Sequence, residues 1–205
     1  MRNHRILLLT ASLLFLAACS DSPQPSKKTE PIKPPEPVTG QFALFQMYNF
    51  ARSWAPDLQA LSVRNVRLQQ VKETPGKSGA WEATFVSPAK GLGRLYTYSV
   101  VEAEGNLHQG VFGGAQERYS GPRGQEKPFP VTVVRVDTDK AYEVALKHGA
   151  EYVKAHPDMP ISFMLELTPR SPNPVWRVLW GESVVKSSFS VLVDAVTGEY
   201  VGTLR

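Results

Sequence analysis

Two stretches of apolar residues at three-and-four spacing, each followed by runs of alternating apolar and polar residues, set the order of elements along this 205-residue chain. Leu44, Met47, Tyr48, Ala51 and Trp54 (or Ala55) share one face of a helix predicted over 42–54, with Thr39 as its N-cap. Pro56 ends it, because a residue before proline is steered away from helical φ/ψ, and Asp57 then suits a turn. Period-two alternation predicts strands next: Val66 and Leu68 within 63–71, then Trp81, Ala83 and Phe85, then Tyr96, Tyr98 and Val100. Glu104-Gly105-Asn106 reads as a turn leading into a short strand over 107–112.

The same order returns. After a strand expected over 131–136, Asp137-Thr138-Asp139 is a strong helix N-cap signal. Tyr142, Ala145, Gly149, Tyr152 and His156 repeat at helical spacing along 140–155. Pro157-Asp158-Met159 mirrors Pro56-Asp57-Leu58 as a stop. Three alternating runs follow, carried by Phe163, Leu165 and Leu167, by Trp176, Val178 and Trp180, and by Phe189, Val191 and Val193. Helix, Pro-Asp turn, strand, Trp-led strand, aromatic strand, Gly turn and short strand thus occur twice. Tyr98-Ser99-Val100 matches Phe189-Ser190-Val191 in kind; the alternative is a chance likeness of two α+β halves. Each half has one amphipathic helix and a sheet with one apolar face, so packing helix on sheet buries both. The expectation is an α+β chain of two helix-on-antiparallel-sheet modules, 40–125 and 126–205. Trp54, Trp81, Trp176 and Trp180 belong to the core or its edge.

The second half closes on Val193-Asp194-Ala195-Val196-Thr197-Gly198-Glu199-Tyr200-Val201, after the Ala-containing helix and the strand Val175-Trp176-Arg177-Val178. That pattern resembles a PepSY domain over roughly the last 70 residues. The first half departs from it, since Val101-Glu102-Ala103-Glu104-Gly105-Asn106 only approximates the closing motif. The resemblance implies a cystatin-like fold with a helix across an antiparallel sheet. It also implies a setting among secreted or membrane-anchored bacterial proteins, for some of which peptidase inhibition has been proposed. Fold alone does not fix function.

Ahead of the modules, Arg2 and Arg5 precede an apolar run over 6–16, which has the length of a signal-peptide core and is too short for a bilayer span. It ends in Leu16-Ala17-Ala18-Cys19, which resembles the lipobox of bacterial lipoproteins. The resemblance implies a diacylglyceryl group on the Cys19 thiol, cleavage between Ala18 and Cys19, and acylation of the new N-terminus. The alternatives are an ordinary secretory signal with an incidental Cys, or an uncleaved anchor. Several acyl chains, each contributing about 0.8 kcal/mol per buried methylene, hold a protein stably on a membrane where one does not. Ser20 after Cys19 resembles the signal for the outer membrane. The expected location is the cell envelope, facing the periplasm or the cell surface and on the outer membrane rather than the inner. Residues 20–39 carry six prolines and almost no apolar residue, the composition of a semi-rigid spacer.

Composition adds exclusions. There are 23 Lys and Arg against 19 acidic residues, and losing Arg2 and Arg5 leaves a surplus of about two, with no basic run beyond Lys27-Lys28. Nucleic acid is therefore not an expected partner. Cys19 is the single cysteine, which excludes an internal disulfide and a multi-cysteine metal site.

Candidate chemistry is sparse. His108 falls on a strand, and His148 and His156 lie eight apart on one helix, about 12 Å along its axis at 1.5 Å per residue, too far to share an ion. Ser183, Ser187, Ser188 and Ser190 surround the last hairpin without a nucleophile elbow, and alternation places Ser188 and Ser190 on a solvated face. The stretch 110–114, GVFGG, lacks the Lys and helix of a phosphate loop and, with 119–124, reads as turns between modules. Asp57 and Asp158, and likewise Asp194 and Glu199, read as turn residues. The expectation is a non-enzymatic, lipid-anchored binding or assembly module without a cofactor or metal, working on an envelope protein. Inhibition of an envelope peptidase is the alternative, and an enzyme with a cleft between the modules is the third reading.

Overall fold

Prolines, Asp turns and glycines cut the chain where the helical and alternating periods change, and the elements between them are regular. The structure, a computed structural model, describes residues 34–122 and 126–205. Ala18, Cys19 and the spacer as far as residue 33 lie outside the described residues. In chain order the described elements are β1 (Val38–Thr39), α1 (Gly40–Ala51), β2 (Gln59–Val66), β3 (Lys77–Ser78), β4 (Ala80–Ser87), β5 (Leu92–Ser99) and β6 (Gly110–Arg118). A 3-10 turn (Val131–Val133) leads into α2 (Thr138–Ala155), β7 (Ile161–Glu166), β8 (Val175–Gly181), β9 (Ser187–Asp194) and β10 (Tyr200–Leu204).

Eight strands form one antiparallel sheet in the order β10-β9-β8-β7-β2-β4-β5-β6, while β1 pairs with β3 alone. The leading strands of the two halves, β2 and β7, meet at the centre through Ser62↔Glu166, Val63↔Leu165 and Arg64↔Met164. Two side chains lengthen this short seam: Asn65 Oδ1 accepts from Phe163 N at 2.8 Å, and Arg67 Nη2 donates to Ile161 O at 2.8 Å. Residues Pro34–Arg205 are a single compact unit.

Both helices pack on one face of this sheet. Their small residues Ala43, Ala51, Ala141, Ala145 and Gly149 let them approach the strands, and one core cluster runs through both halves. Tryptophan sets the same latch in each half. Trp81 on β4 donates its indole N–H to Val38 O at 3.0 Å, and Trp176 on β8 donates to Val136 O at 2.8 Å. Each acceptor lies two residues before its helix begins. The two rings meet edge to face at 6.3 Å, so the latches interlock at the centre of the molecule.

The helix starts interlock as well. Thr39 stands at the N-cap of α1 but its side chain makes no capping hydrogen bond. The second half supplies the acceptors instead: Gly40 N donates to Thr138 Oγ1 at 2.8 Å, and Gln41 N donates to Asp137 Oδ1 at 2.9 Å. Asp137 Oδ1 also accepts from Thr138 N at 2.7 Å, so one carboxylate serves two helix N-termini.

Four expectations are corrected. Residues 110–114, read as turn sequence although a short strand was expected over 107–112, belong to the nine-residue edge strand β6. Gly113 is needed there because a Cβ would come within 2.9 Å of the Tyr96 ring and 3.0 Å of Arg94, so it marks a close approach and not a turn. Residues 131–136 are not a strand: after the 3-10 turn, Arg135 N and Val136 N both donate to Ala195 O, a single anchor in place of a ladder. The first strand of the opening half occupies Gln59–Val66, and Leu68 and Val71 turn away into a small second cluster with Ala80 and Leu107. Finally, Tyr98 is opposite Trp81, whereas Trp176 is opposite Val193. The structural counterpart of Tyr98 is therefore Val193, four residues on from Phe189.

Candidate functional site

With both helices on one side, the other side of the sheet carries no helix and is partly covered by the segments bearing Leu68, Val71 and Leu107. Its composition follows from period-two alternation against a buried face: where Trp, Val and Phe point to the helices, their neighbours point away. One cross-strand row reads Leu192, Arg177, Met164, Arg64, Glu82, Thr97 and Phe112, from β9 to β6. The row beside it brings Glu166, Ser62, Thr84 and Leu95 together across the seam.

This face holds a groove of about 720 Å³, lined by Ser62, Arg64, Glu82, Leu95, Met164 and Leu179 and bounded by the β8–β9 hairpin. A neighbouring depression of about 510 Å³ shares Thr84, Leu95 and Glu126 with it and runs on toward Arg118 and Tyr119 at the β6 edge. Arg64 and Glu82 form an ion pair across the strands at 2.6 Å. Burial raises the pKa of Glu166 most; Arg177 opposes that shift and Glu126 adds to it. The hairpin tip is unusual, with Val184 and Val185 at 40% and 94% exposure. Turns normally place Gly, Asn, Asp or Ser there. The tip is held by Lys186 N donating to Ser183 O at 3.1 Å and by the Lys186–Glu182 ion pair at 2.8 Å. The groove thus offers carboxylates, guanidinium groups and hydroxyls beside an apolar floor, a lining suited to holding an extended ligand.

The sequence candidates are dispersed. His108 pairs with Glu102 at 2.6 Å, His148 stacks on Tyr200 at 3.8 Å, and His156 caps the end of α2. No group of three His, Cys, Asp or Glu able to hold an ion occurs among the described residues. Asp57 ties down the β4–β5 turn, accepting from Ser87 Oγ at 2.6 Å and Ala89 N at 2.8 Å. Those bonds hold its carboxyl below the usual range, the Ser87 hydroxyl contributing most. Asp158 is exposed beyond the end of α2. Asp194 accepts from Val196 N, Thr197 N and Asn173 Nδ2 at 2.8–2.9 Å, the work of a closing turn, and Glu199 O accepts from Asp194 N. Ser190 departs from expectation. It is 1% exposed, with Arg177 Nε donating to its hydroxyl at 3.2 Å and Ser187 Oγ 3.3 Å away, while Ser188 is exposed. Glu166, Arg177 and Glu126 were not singled out beforehand. The available signal was a charged residue in each of the alternating runs 161–166 and 175–180, set opposite core positions.

Neither a protein-family model nor a curated protein matches the chain. Among solved structures, it is similar to a protein of Clostridium difficile 630 provisionally assigned as a lipoprotein, at 8% identity and a TM-score of 0.49. The match covers 79% of this chain and 91% of that one. A likeness at that level carries neither fold nor function to this chain. Among the described residues, no helix is long and apolar enough to cross a membrane.

Proposed function

We propose that the chain is an envelope lipoprotein anchored through acyl groups on Cys19, and that its two halves are PepSY-like modules fused into one non-enzymatic binding or assembly unit. The observation that carries the binding role is the helix-free face of the continuous sheet, where the groove crosses the seam between the halves. A ligand lying there touches both halves at once, which gives the pairing a purpose beyond stability. The occupant is an extended segment of an envelope protein, and the anchor, on the outer membrane facing the periplasm or the surface, raises its effective concentration. Crosslinking in the native envelope from a photoreactive residue at Leu95 or Met164 tests this. Capture of one discrete protein partner supports the reading, and capture of none at either position defeats it. For the anchor, Cys19→Ala abolishes acyl labelling; labelling that persists refutes it.

The exposed valine tip favours a second reading, inhibition of an envelope peptidase by insertion of the β8–β9 hairpin into its cleft. Purified envelope peptidases that keep full activity at high micromolar concentrations of the protein argue against it. Inhibition that survives Val184→Ser and Val185→Ser argues against the tip.

A further inference from the structure

The two helices occupy equivalent places on one sheet, yet their outer faces differ. On α2 that face carries Lys140, Glu143, Lys147, Glu151 and Lys154, as a solvated helix should. No charged residue occurs anywhere in α1. Its outward positions include Phe42 and Phe50, which are 45% and 54% exposed, with Gln46 and Asn49 between them. Phe42 meets Tyr98 edge to face at 5.9 Å, and Phe50 meets Tyr96 at 6.3 Å, with Trp54 on the same ring at 6.4 Å. Cations rim this aromatic strip: Arg52 is exposed at the helix end, Lys90 lies over Trp54 at 5.6 Å and donates to its carbonyl, and Arg94 lies over Tyr96 at 5.2 Å while donating to Gly113 O and Gly114 O. The nearby carboxylate, Asp57, is engaged by Ser87 and Ala89.

We infer that this α1 face lies against an anionic lipid surface, with Phe42 and Phe50 entering the headgroup region and Arg52 and Lys90 meeting the phosphates. Two half-exposed Phe rings offer on the order of 200 Å² of apolar surface. A stable protein interface covers about 800 Å² per partner, of which roughly 450 Å² is apolar; the two rings supply under half of that, so the strip suits a small membrane contact better than a second copy. A membrane contact needs far less area once a tether holds the protein beside the bilayer. Aromatic rings with cations beside them suit the interface between acyl chains and headgroups. The inference rests on the lipid anchor proposed above: the spacer from Cys19 ends at Thr39, directly before α1.

The test uses the lipidated full chain in vesicles of phosphatidylethanolamine and phosphatidylglycerol, with plain or brominated acyl chains. Trp81, Trp176 and Trp180 are 0%, 0% and 1% exposed, so brominated lipid reads Trp54. The expected result is loss of the Trp54 share of the emission in brominated vesicles and not in plain ones. The loss shrinks without phosphatidylglycerol and after Arg52→Glu with Lys90→Glu. It disappears in Phe42→Ser with Phe50→Ser, and Trp54→Phe identifies the quenchable share. A chain that floats with the vesicles but is not quenched overturns the inference and leaves the anchor standing. Quenching unchanged by the two Phe substitutions, or crosslinked pairs joined through α1, overturns it too. A chain that does not float has lost the anchor. The face is then read on residues 19–205 coupled through the single thiol, Cys19, to a maleimide lipid in the same vesicles, where absence of quenching overturns the inference.

Discussion

Gly40 sits where the two halves meet. A Cβ there would stand 2.8 Å from Thr138 Cγ2, 2.8 Å from the Trp176 ring and 2.9 Å from the Trp81 ring. In an open helix, Gly→Ala stabilises by about 1 kcal/mol. Here overpacking costs about 1–3 kcal/mol, so Gly40→Ala lowers stability in chemical denaturation. Glu166 gives a pH prediction. Its folded pKa is raised, so between its ordinary value and the raised one the folded state holds more protons than the unfolded state. Stability therefore falls as pH rises through that window. Glu166→Gln raises stability at neutral pH and is without benefit at acid pH, where the carboxyl is already protonated. Equal effects at both pH values would show that ionisation at this position is not responsible.

At the scale of elements, the cap that the second half supplies to α1 matters most. Asp137→Ala removes the acceptor of Gln41 N and Thr138 N together, and a lost cap costs about 0.5–2 kcal/mol. The expected result is a loss at the upper end of that range, with hydrogen exchange accelerated at the start of α1 as well as α2. Acceleration confined to α2 would mean that Thr138 alone holds α1. None of this is legible in sequence, because the partners are 96 and 98 residues apart. What could be read was local. Trp81, Ala83 and Phe85, or Trp176, Val178 and Trp180, reveal their strands by alternation, and Asp137 reveals a helix start. Of strand β6 only the first three residues were foreseen, because glycines at 113 and 114 carry no side chain to alternate. The valines of 131–136 misled because β propensity depends on a partner strand that is absent there. Ser190 misled because alternation gives the face of a residue, not what lies over that face.

On the scale of the whole molecule, the seam between β2 and β7 makes the halves one body. The core continues across it through the facing Trp81 and Trp176 rings. Thermal unfolding is therefore a single transition, with tryptophan emission and far-UV circular dichroism coincident. Two separated transitions would mean that the halves are stable alone. Both edges of the sheet are kinked, by a bulge at Gly114 and Ala115 in β6 and another at Val201 in β10. Kinked edges resist adding a further strand. Two helices, each followed by antiparallel strands, were visible in the sequence, but the joining of those strands into one sheet was not. Alternation marks which face of a strand is buried and leaves its lateral neighbour unspecified.

The shared cap also bears on how the protein is made. A chain synthesised N-terminus first delivers α1 and β2 well before Asp137, Thr138 and β7 exist. During that interval Gly40 N and Gln41 N have no acceptor from their own half, and one flank of β2 is bare. The early half is thus held back by the late one. At roughly 5–20 residues per second, the interval before residue 166 is made lasts on the order of ten seconds.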